Sequence, residues 1–149
     1  RRARGVQLLE IGVFYGKSLA LWCDALSSDA TVHGVDINLA RWRVHSEELR
    51  ALGAFRHANV QVYEQDTSSD AFAAFAASLP PLDVIIEDGN HTADSQWRLL
   101  CTLFARVRPG GVYVIEDIEQ PSTPLGRPPP PPPPPLPPPP PPPPLPPPP

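Results

Sequence analysis

Short apolar runs alternate with helical patterns along the first 118 residues of the chain. Five of these runs are rich in Val, Ile and Leu and are almost continuously apolar: residues 6–13, 31–37, 60–63, 82–86 and 112–118. Runs of this length and composition are typical of strands that are buried on both faces of a parallel sheet. The pattern therefore predicts a five-stranded sheet.

The segments between the runs carry apolar residues at helical spacing. Three of them repeat the i, i+3, i+4, i+7 pattern of one buried helix face: Leu19, Trp22, Cys23 and Leu26; Phe72, Phe75, Ala76 and Leu79; Trp97, Leu100, Cys101 and Phe104. Residues 40–52 show a weaker and more polar pattern. Alternating strands and helices predict the α/β class, a doubly wound parallel sheet with helices on both faces.

The end of the chain has a different composition. Twenty of the 25 prolines fall at positions 128–149, where Leu136 and Leu145 are the other residues. Such a run favours an extended left-handed helix without internal hydrogen bonds, which cannot join a sheet. We therefore expect one domain at residues 1–120 and a disordered, proline-rich, low-complexity tail at residues 121–149.

Composition and charge exclude several classes of protein. The net charge of -4 argues against a nucleic-acid binder held by a basic face, and there is no apolar run long enough to cross a membrane. Without a secretory signal, Cys23 and Cys101 are expected to be reduced packing thiols. These features predict a soluble, cytoplasmic protein. Since the chain contains no methionine, we expect it to be a fragment of a longer product.

Every predicted strand ends in, or is followed by, an acidic residue. These acids are Glu10, Asp36, Asp66, the pair Glu87 and Asp88, and the pair Glu116 and Asp117. Ligands of open α/β sheets bind beyond the carboxyl ends of the strands. On one rim the repulsion between the acids requires a cation or hydrogen-bond donors, which a metal and a ligand rich in hydroxyls and amines would supply. The alternative for any single position is a cap on the following helix.

The first strand-to-helix turn contains glycines four positions apart, Gly12 and Gly16. Glycines here allow a sharp turn that leaves backbone amides facing a ligand. A dinucleotide site is a competing interpretation, because Asp36 stands where a ribose-binding acid is expected. Phe14 and Lys17 occupy the second and third glycine positions of the G-x-G-x-x-G fingerprint, however, which disfavours an NAD-dependent oxidoreductase.

Together these motifs resemble the class I S-adenosylmethionine-dependent methyltransferases. The matching positions are Leu9-Glu10-Ile11-Gly12 with Gly16 and Ser18, the acids Asp36 and Asp66, and Arg108-Pro109-Gly110-Gly111. Two further motifs, Ile86-Glu87-Asp88-Gly89-Asn90-His91 and Tyr113-Val114-Ile115-Glu116-Asp117, are similar to the macrocin-type sugar O-methyltransferases and their cephalosporin-hydroxylase-like relatives. The resemblance covers residues 5–119. It implies a truncated methyltransferase domain with a Rossmann-like fold, in which five of the family's seven strands are present.

The resemblance also implies a role for each candidate residue. S-adenosyl-L-methionine would be bound by Glu10, Gly12, Gly16, Ser18, Asp36 and Asp66. Within that set, Glu10 and Gly12 would flank the methionine part, Asp36 the ribose hydroxyls and Asp66 the adenine. Mg²⁺ would be held by Asp88, Glu116 and Asp117, and His91 would be the general base. The residue types suit these roles independently, because magnesium prefers carboxylate oxygens and histidine can accept a proton at neutral pH.

The leading hypothesis is a magnesium-dependent O-methyltransferase that acts on a hydroxyl of a small molecule such as a sugar. A second hypothesis is a non-catalytic protein whose polyproline tail binds an aromatic groove of an SH3, WW or profilin-like partner. GC-rich low-complexity coding sequence is the alternative for the tail. An exposed fifth strand would also allow pairing with another chain, as in a homo-oligomer. His33, His45 and His57 are expected to be structural or solvated.

Overall fold

Five parallel strands form the sheet in the computed structural model of the chain, which describes residues 5–118. They are β1 (Gln7–Ile11), β2 (Thr31–Asp36), β3 (Asn59–Glu64), β4 (Leu82–Glu87) and β5 (Val107–Ile115), in the spatial order β3-β2-β1-β4-β5. All four neighbouring pairs are parallel. The predicted α/β class is therefore confirmed. The predicted tail at residues 121–149 and its proposed partner lie outside the described residues.

Two helices cover each face of the sheet. Helices α1 (Lys17–Ala25) and α2 (Ala40–Ala51) lie on one face, and α3 (Ala71–Ser78) and α4 (Ala93–Leu103) lie on the other, with a short 3-10 helix (Phe104–Arg106) before β5. Each face has its own apolar cluster: Leu8, Leu19, Cys23, Val32 and Trp42 on the first, and Leu9, Phe72, Leu82, Ile85 and Leu99 on the second. Since each such buried side chain contributes about 1.5–3 kcal/mol, both clusters fix the sheet between its helices.

The buried face of α4 differs from the predicted one. Leu99 and Leu103 are buried, whereas Trp97 is 38% and Phe104 56% exposed. Apolar side chains form two adjacent stripes on this helix, so periodicity alone could not decide which of them meets the sheet.

The fifth strand also begins earlier than predicted. It starts at Val107, which pairs with Leu82, and the pairing with β4 resumes only at Val84 and Val112. The intervening Arg-Pro-Gly-Gly sequence forms an irregularity in the pairing. It is not apolar, so the apolar pattern did not predict it as part of the strand. The strand also ends earlier than the predicted run, at Ile115, so Glu116 and Asp117 follow it directly.

The strand order places a crevice beside β1. The chain continues from β1 to β2 and β3 on one side, then returns to place β4 on the other side. The order reverses at this point, and α/β proteins bind ligands outside the carboxyl ends of such strands. The topology thus brings the segments that follow β1, β2 and β4 together.

Three further expectations from the sequence can be compared with the structure. Both cysteines are free, Cys23 buried and Cys101 partly buried. His33 is buried, with its ring nitrogens 3.3 Å from the Tyr63 hydroxyl and 3.1 Å from Gln7 Oε1, which is a structural role. Among residues 5–118, none of the helices is long and apolar enough to cross a membrane.

Candidate functional site

A cavity of about 260 Å³ opens at the carboxyl ends of β1, β2 and β4. Its lining is mostly polar and small, and comprises Ile11, Gly12, Val35, Asp36, Ile37, Asp66, Thr67, Ser68, Gly89 and Asn90. Three of the residues expected to bind a cofactor, Gly12, Asp36 and Asp66, therefore share one cavity. Thr67, Ser68 and Asn90 were not predicted from the sequence, because small polar loop residues carry no distinctive signal.

Gly12 joins the loop after β1 to the loop after β4. Its φ of +98° lies in the left-handed region, and a Cβ at this position would lie 2.0 Å from the backbone oxygen of Asp88. The Asp88 N–H in turn donates to the Ile11 carbonyl at 2.9 Å. Glycine is therefore required here by both backbone conformation and space.

Gly16 ends the same turn with a φ of +80° and directly precedes α1. A Cβ there would lie 2.3 Å from the Trp42 ring, so the glycine lets α1 begin against α2. Ser18 follows in the first turn of α1, where its hydroxyl interacts with Glu10.

Asp36 organises the glycine turn. Its Oδ2 accepts the backbone N–H groups of Val13 and Phe14, both at 2.9 Å, and its Oδ1 accepts the Asn38 N–H at 3.0 Å. A carboxylate has about four acceptor positions, so this geometry leaves Asp36 one more hydrogen bond. The carboxylate also occupies amides of the turn that a pyrophosphate would need, which argues against a dinucleotide site.

Asp66 lies at the far side of the cavity, in an exposed turn. Its Oδ1 accepts the Ser68 hydroxyl at 2.6 Å and the Ser68 N–H at 2.8 Å. Both hydrogen bonds lower the pKa of Asp66, and the bond from the Ser68 hydroxyl has the larger effect. The charge of Arg98 lowers this pKa further by a smaller amount. The residue is therefore a preformed acceptor at the rim of the cavity.

Glu10 is buried beneath α1 rather than lying on the open rim. It is 2% exposed, and its Oε2 has no hydrogen-bond partner among the described residues. Burial raises the pKa of Glu10 to about 7; the Ser18 hydroxyl opposes this rise, while Asp88 and Glu116 add to it. A buried acid of this kind would be stabilised in its ionised form by a cationic or amine ligand.

The position of Glu87 departs further from the prediction that the strand-end acids share one exposed rim. It is fully buried on the opposite face of the sheet from Glu10, within the side of the core covered by α3 and α4. Burial raises its pKa, and the Gly89 N–H, at 3.3 Å from Oε1, opposes the rise. Its side chain points into the core because alternate residues of a strand face opposite sides, and Glu87 shares the side of Ile85.

Asp88, His91 and Asp117 form a compact group at the ends of β4 and β5. One potential ligand atom from each lies within 4.8 Å of the others, and His91 Nε2 is 3.9 Å from Asp88 Oδ1. Burial raises the pKa of Asp88, the nearby His91 ring lowers it and Asp117 raises it. His91 (φ +59°) and Asp117 (φ +48°) both adopt left-handed backbone, which is uncommon outside glycine and is found at functional sites.

The donor chemistry of this group fits a divalent cation. Two carboxylates supply hard oxygen atoms of the kind that magnesium prefers, and magnesium usually keeps several water ligands besides. Glu116, the third expected metal ligand, is anchored through its backbone: its N–H donates to the Glu87 carbonyl and its own carbonyl accepts from Gln96 Nε2. Its carboxylate is not part of the 4.8 Å group, in which the structure places His91 instead.

Comparison with protein families finds one matching model, described as a methyltransferase domain, over residues 9–118. This range includes all the strand-end acids and both glycines of the first turn.

The chain is also similar to characterised enzymes. It is 32% identical over 126 residues to the 8-demethyl-8-alpha-L-rhamnosyl tetracenomycin-C 2'-O-methyltransferase of Streptomyces olivaceus, a match that covers 79% of this chain and 30% of that protein. It is 31% identical over 124 residues to the demethylmacrocin O-methyltransferase of Streptomyces fradiae, covering 78% of this chain and 28% of the relative. The chain thus spans about a third of the length of these relatives.

Among solved structures, the fold is similar to that of the MycE methyltransferase of the mycinamycin biosynthetic pathway, determined in complex with Mg and SAH. The TM-score is 0.59 at 32% sequence identity, and the match covers 77% of this chain and 30% of that one.

Proposed function

The chain belongs to the methyltransferase-domain family that its residues 9–118 match, and from this premise we propose that it is part of a magnesium-assisted, S-adenosyl-L-methionine-dependent O-methyltransferase. The family resemblance seen in the sequence, including the macrocin type, is confirmed. Three relatives have names that describe O-methylation, two of them at a 2' or 2'' position. The proposed acceptor is therefore a hydroxyl of a small molecule, with a sugar hydroxyl as the favoured class.

The cavity beside Gly12 is the proposed cofactor site. Asp66 is a preformed acceptor near the proposed adenine position, and Asp36 can offer one ribose hydroxyl its remaining acceptor position on Oδ1. Glu10, together with Ser18 at the start of α1, is proposed to face the amine and sulfonium end of the cofactor. The Ser18 hydroxyl already interacts with the Glu10 carboxylate, and the support for this role is Oε2, which is buried without a partner among the described residues and would be stabilised by a cationic neighbour. Gly12 lines this cavity, and Gly16 closes the same turn against Trp42.

The observation that carries the proposed chemistry is the Asp88–His91–Asp117 group. Asp88 and Asp117 are proposed to hold the magnesium ion. Glu116 is proposed as the third carboxylate, which requires its side chain to turn towards this group, since its carboxylate lies outside it. When bound, magnesium would orient the acceptor hydroxyl and lower its pKa. His91 Nε2 is 3.9 Å from Asp88 Oδ1, so the imidazole lies where it can accept the proton of a hydroxyl oriented at this position. Alignment of that oxygen with the methyl group on sulfur would then supply much of the rate enhancement.

Two measurements on the full chain test the proposal. Calorimetric titration with S-adenosyl-L-methionine should show binding, and S-adenosylhomocysteine should compete for the same site. Transfer of a radiolabelled methyl group to a nitrophenyl α-L-rhamnoside should require magnesium, stop in EDTA and resume when magnesium is restored. A folded chain that binds neither nucleoside contradicts the cofactor assignment, and undiminished transfer in EDTA contradicts the metal assignment.

The matched variants for the base are His91→Gln and His45→Gln. His45 is partly exposed on α2, lies against Tyr15 and Glu48, and is not part of the Asp88–His91–Asp117 group. Loss of a general base typically costs about 10²–10⁴-fold in rate, so His91→Gln should lose transfer by about that factor while still binding the cofactor. His45→Gln should transfer at the native rate. Equal rates in the two variants would exclude His91 as the base.

A further inference from the structure

Three buried polar atoms around the loop between β4 and α4 have no hydrogen-bond partner among the described residues. They are Glu87 Oε2, His91 Nδ1 and the Tyr113 hydroxyl oxygen. Buried polar atoms are almost always hydrogen-bonded, because each unpaired one costs about 1–3 kcal/mol. Because the three side chains are neighbours, their unpartnered atoms can form hydrogen bonds with one another.

Glu87 is the residue that interacts with both of the others. It ends β4 with no exposed surface, and Tyr113 pairs with Ile85, which makes Tyr113 the diagonal cross-strand neighbour of Glu87. The Glu87 carboxylate interacts electrostatically with both His91 and Tyr113. Its other oxygen, Oε1, accepts the Gly89 N–H at 3.3 Å, so the carboxylate is already attached to the loop that carries His91.

We propose that Glu87 is a positioning residue for His91: Glu87 Oε2 accepts the Nδ1–H of the imidazole, and the Tyr113 hydroxyl donates to the same carboxylate. With these two hydrogen bonds made, all three unpartnered atoms are satisfied. A carboxylate oxygen has two lone pairs, so it can accept both donors.

The consequence concerns which ring nitrogen of His91 carries hydrogen. With Nδ1–H held by Glu87, the neutral imidazole presents a bare Nε2 beside Asp88, 3.9 Å from Oδ1. In the opposite tautomer Nε2 carries the hydrogen, points it at Asp88 and cannot accept a proton. The partner of one ring nitrogen thus determines what the other can do. The catalytic importance of the Nδ1–H tautomer rests on the proposed function. The proposal that Glu87 favours this tautomer does not.

The test reads the tautomer directly by nuclear magnetic resonance. Long-range ¹H–¹⁵N spectra of the full, ¹⁵N-labelled chain, recorded in EDTA at a pH where the ring is neutral, separate protonated from bare ring nitrogens, and His91→Gln identifies the His91 signals. The native chain should show His91 predominantly as the Nδ1–H tautomer. Glu87→Gln should shift His91 towards the Nε2–H form, because a neutral amide oxygen is a weaker acceptor than a carboxylate.

Glu64→Gln is the control, since it neutralises an acid at the end of the edge strand β3, which β2 and β1 separate from β4, and it should leave the His91 tautomer unchanged. Glu87→Asp keeps the carboxylate and should restore the Nδ1–H form at least in part. A dominant Nε2–H tautomer in the native chain overturns the inference whether or not any variant folds. An unchanged ratio in folded Glu87→Gln also overturns it. Because the spectra require neither cofactor nor methyl transfer, a failure of the proposed function would be seen separately.

Discussion

The carboxylate of Asp36 accepts the backbone N–H of Phe14 at 2.9 Å, at a residue whose φ of +48° lies in the left-handed region. This bond joins the end of β2 to the turn after β1. Left-handed backbone costs a non-glycine residue about 1 kcal/mol or more, and the charged acceptor offsets that cost. Asp36 thus shapes the cavity as well as lining it.

Substitutions of Asp36 should separate these two roles. Asp36→Ala removes three hydrogen bonds to a charged acceptor, so we expect it to lower the free energy of unfolding by about 2–4 kcal/mol and to weaken cofactor binding severely. Asp36→Asn keeps an oxygen that can accept the Val13 and Phe14 amides and should lose less than half as much stability. Urea unfolding and calorimetric titration with S-adenosyl-L-methionine measure both effects. Equal stability losses in the two variants would mean that Asp36 does not organise the turn.

The buried Glu10 should make stability depend on pH. Its pKa rises from 4.5 to about 7 on folding, so the folded state binds more protons than the unfolded state between these values and stability falls as the pH rises through them. Glu10→Gln removes this dependence. The difference in unfolding free energy between Glu10→Gln and the native chain should therefore move in favour of the variant by about 3 kcal/mol between pH 4 and pH 8.

Urea unfolding of both chains across this pH range, in EDTA and without cofactor, measures the Glu10 effect. His33 contributes in the opposite direction, because burial lowers its pKa and stability is lost as the pH falls below 6.5. Comparison of Glu10→Gln with the native chain cancels the His33 contribution. A difference that stays constant from pH 4 to pH 8 would show that Glu10 titrates normally.

The Asp88–His91–Asp117 group should bind a divalent cation through its carboxylates. Removal of a group that only supports a metal ligand typically costs about 10–100-fold in affinity, so Asp88→Asn and Asp117→Asn should each weaken Mg²⁺ binding at least that much. Asp70→Asn, an exposed acid at the start of α3, is the control and should bind Mg²⁺ like the native chain. Titration calorimetry with MgCl₂ measures all three. Identical affinities across the set would place the cation elsewhere.

Gly12 and Gly110 both have positive φ, but they should respond differently to an added methyl group. Gly110→Ala incurs mainly the left-handed backbone penalty of about 1–2 kcal/mol, since a Cβ there meets nothing within 4 Å. Gly12→Ala adds a collision with the Asp88 carbonyl, where the Cβ would lie at 2.0 Å. We expect Gly12→Ala to be the less stable by thermal unfolding, and to bind Mg²⁺ more weakly because Asp88 is displaced. Equal melting temperatures would contradict the close approach of the two loops.

Much of the fold follows from the sequence, because five nearly continuous apolar runs can be buried on both faces only in a sheet covered by helices. Positions along the chain were therefore easier to predict than directions of side chains. Glu87 was expected among the exposed acids because it ends β4, but its shared face with Ile85 turns it into the core. His91, rather than the Glu116 carboxylate, lies in the candidate metal group with Asp88 and Asp117. This arrangement depends on left-handed backbone at His91 and Asp117, which cannot be predicted from either residue type.

The contact between Gly12 and Asp88 has a practical consequence for anyone redesigning this crevice. A combinatorial library should hold position 12 constant, since every side chain there would push the two halves of the pocket apart. Ile37 is a better place for diversity, because it lines the same cavity yet is 66% exposed. Selections that begin there can explore new ligand preferences while the scaffold beneath stays intact.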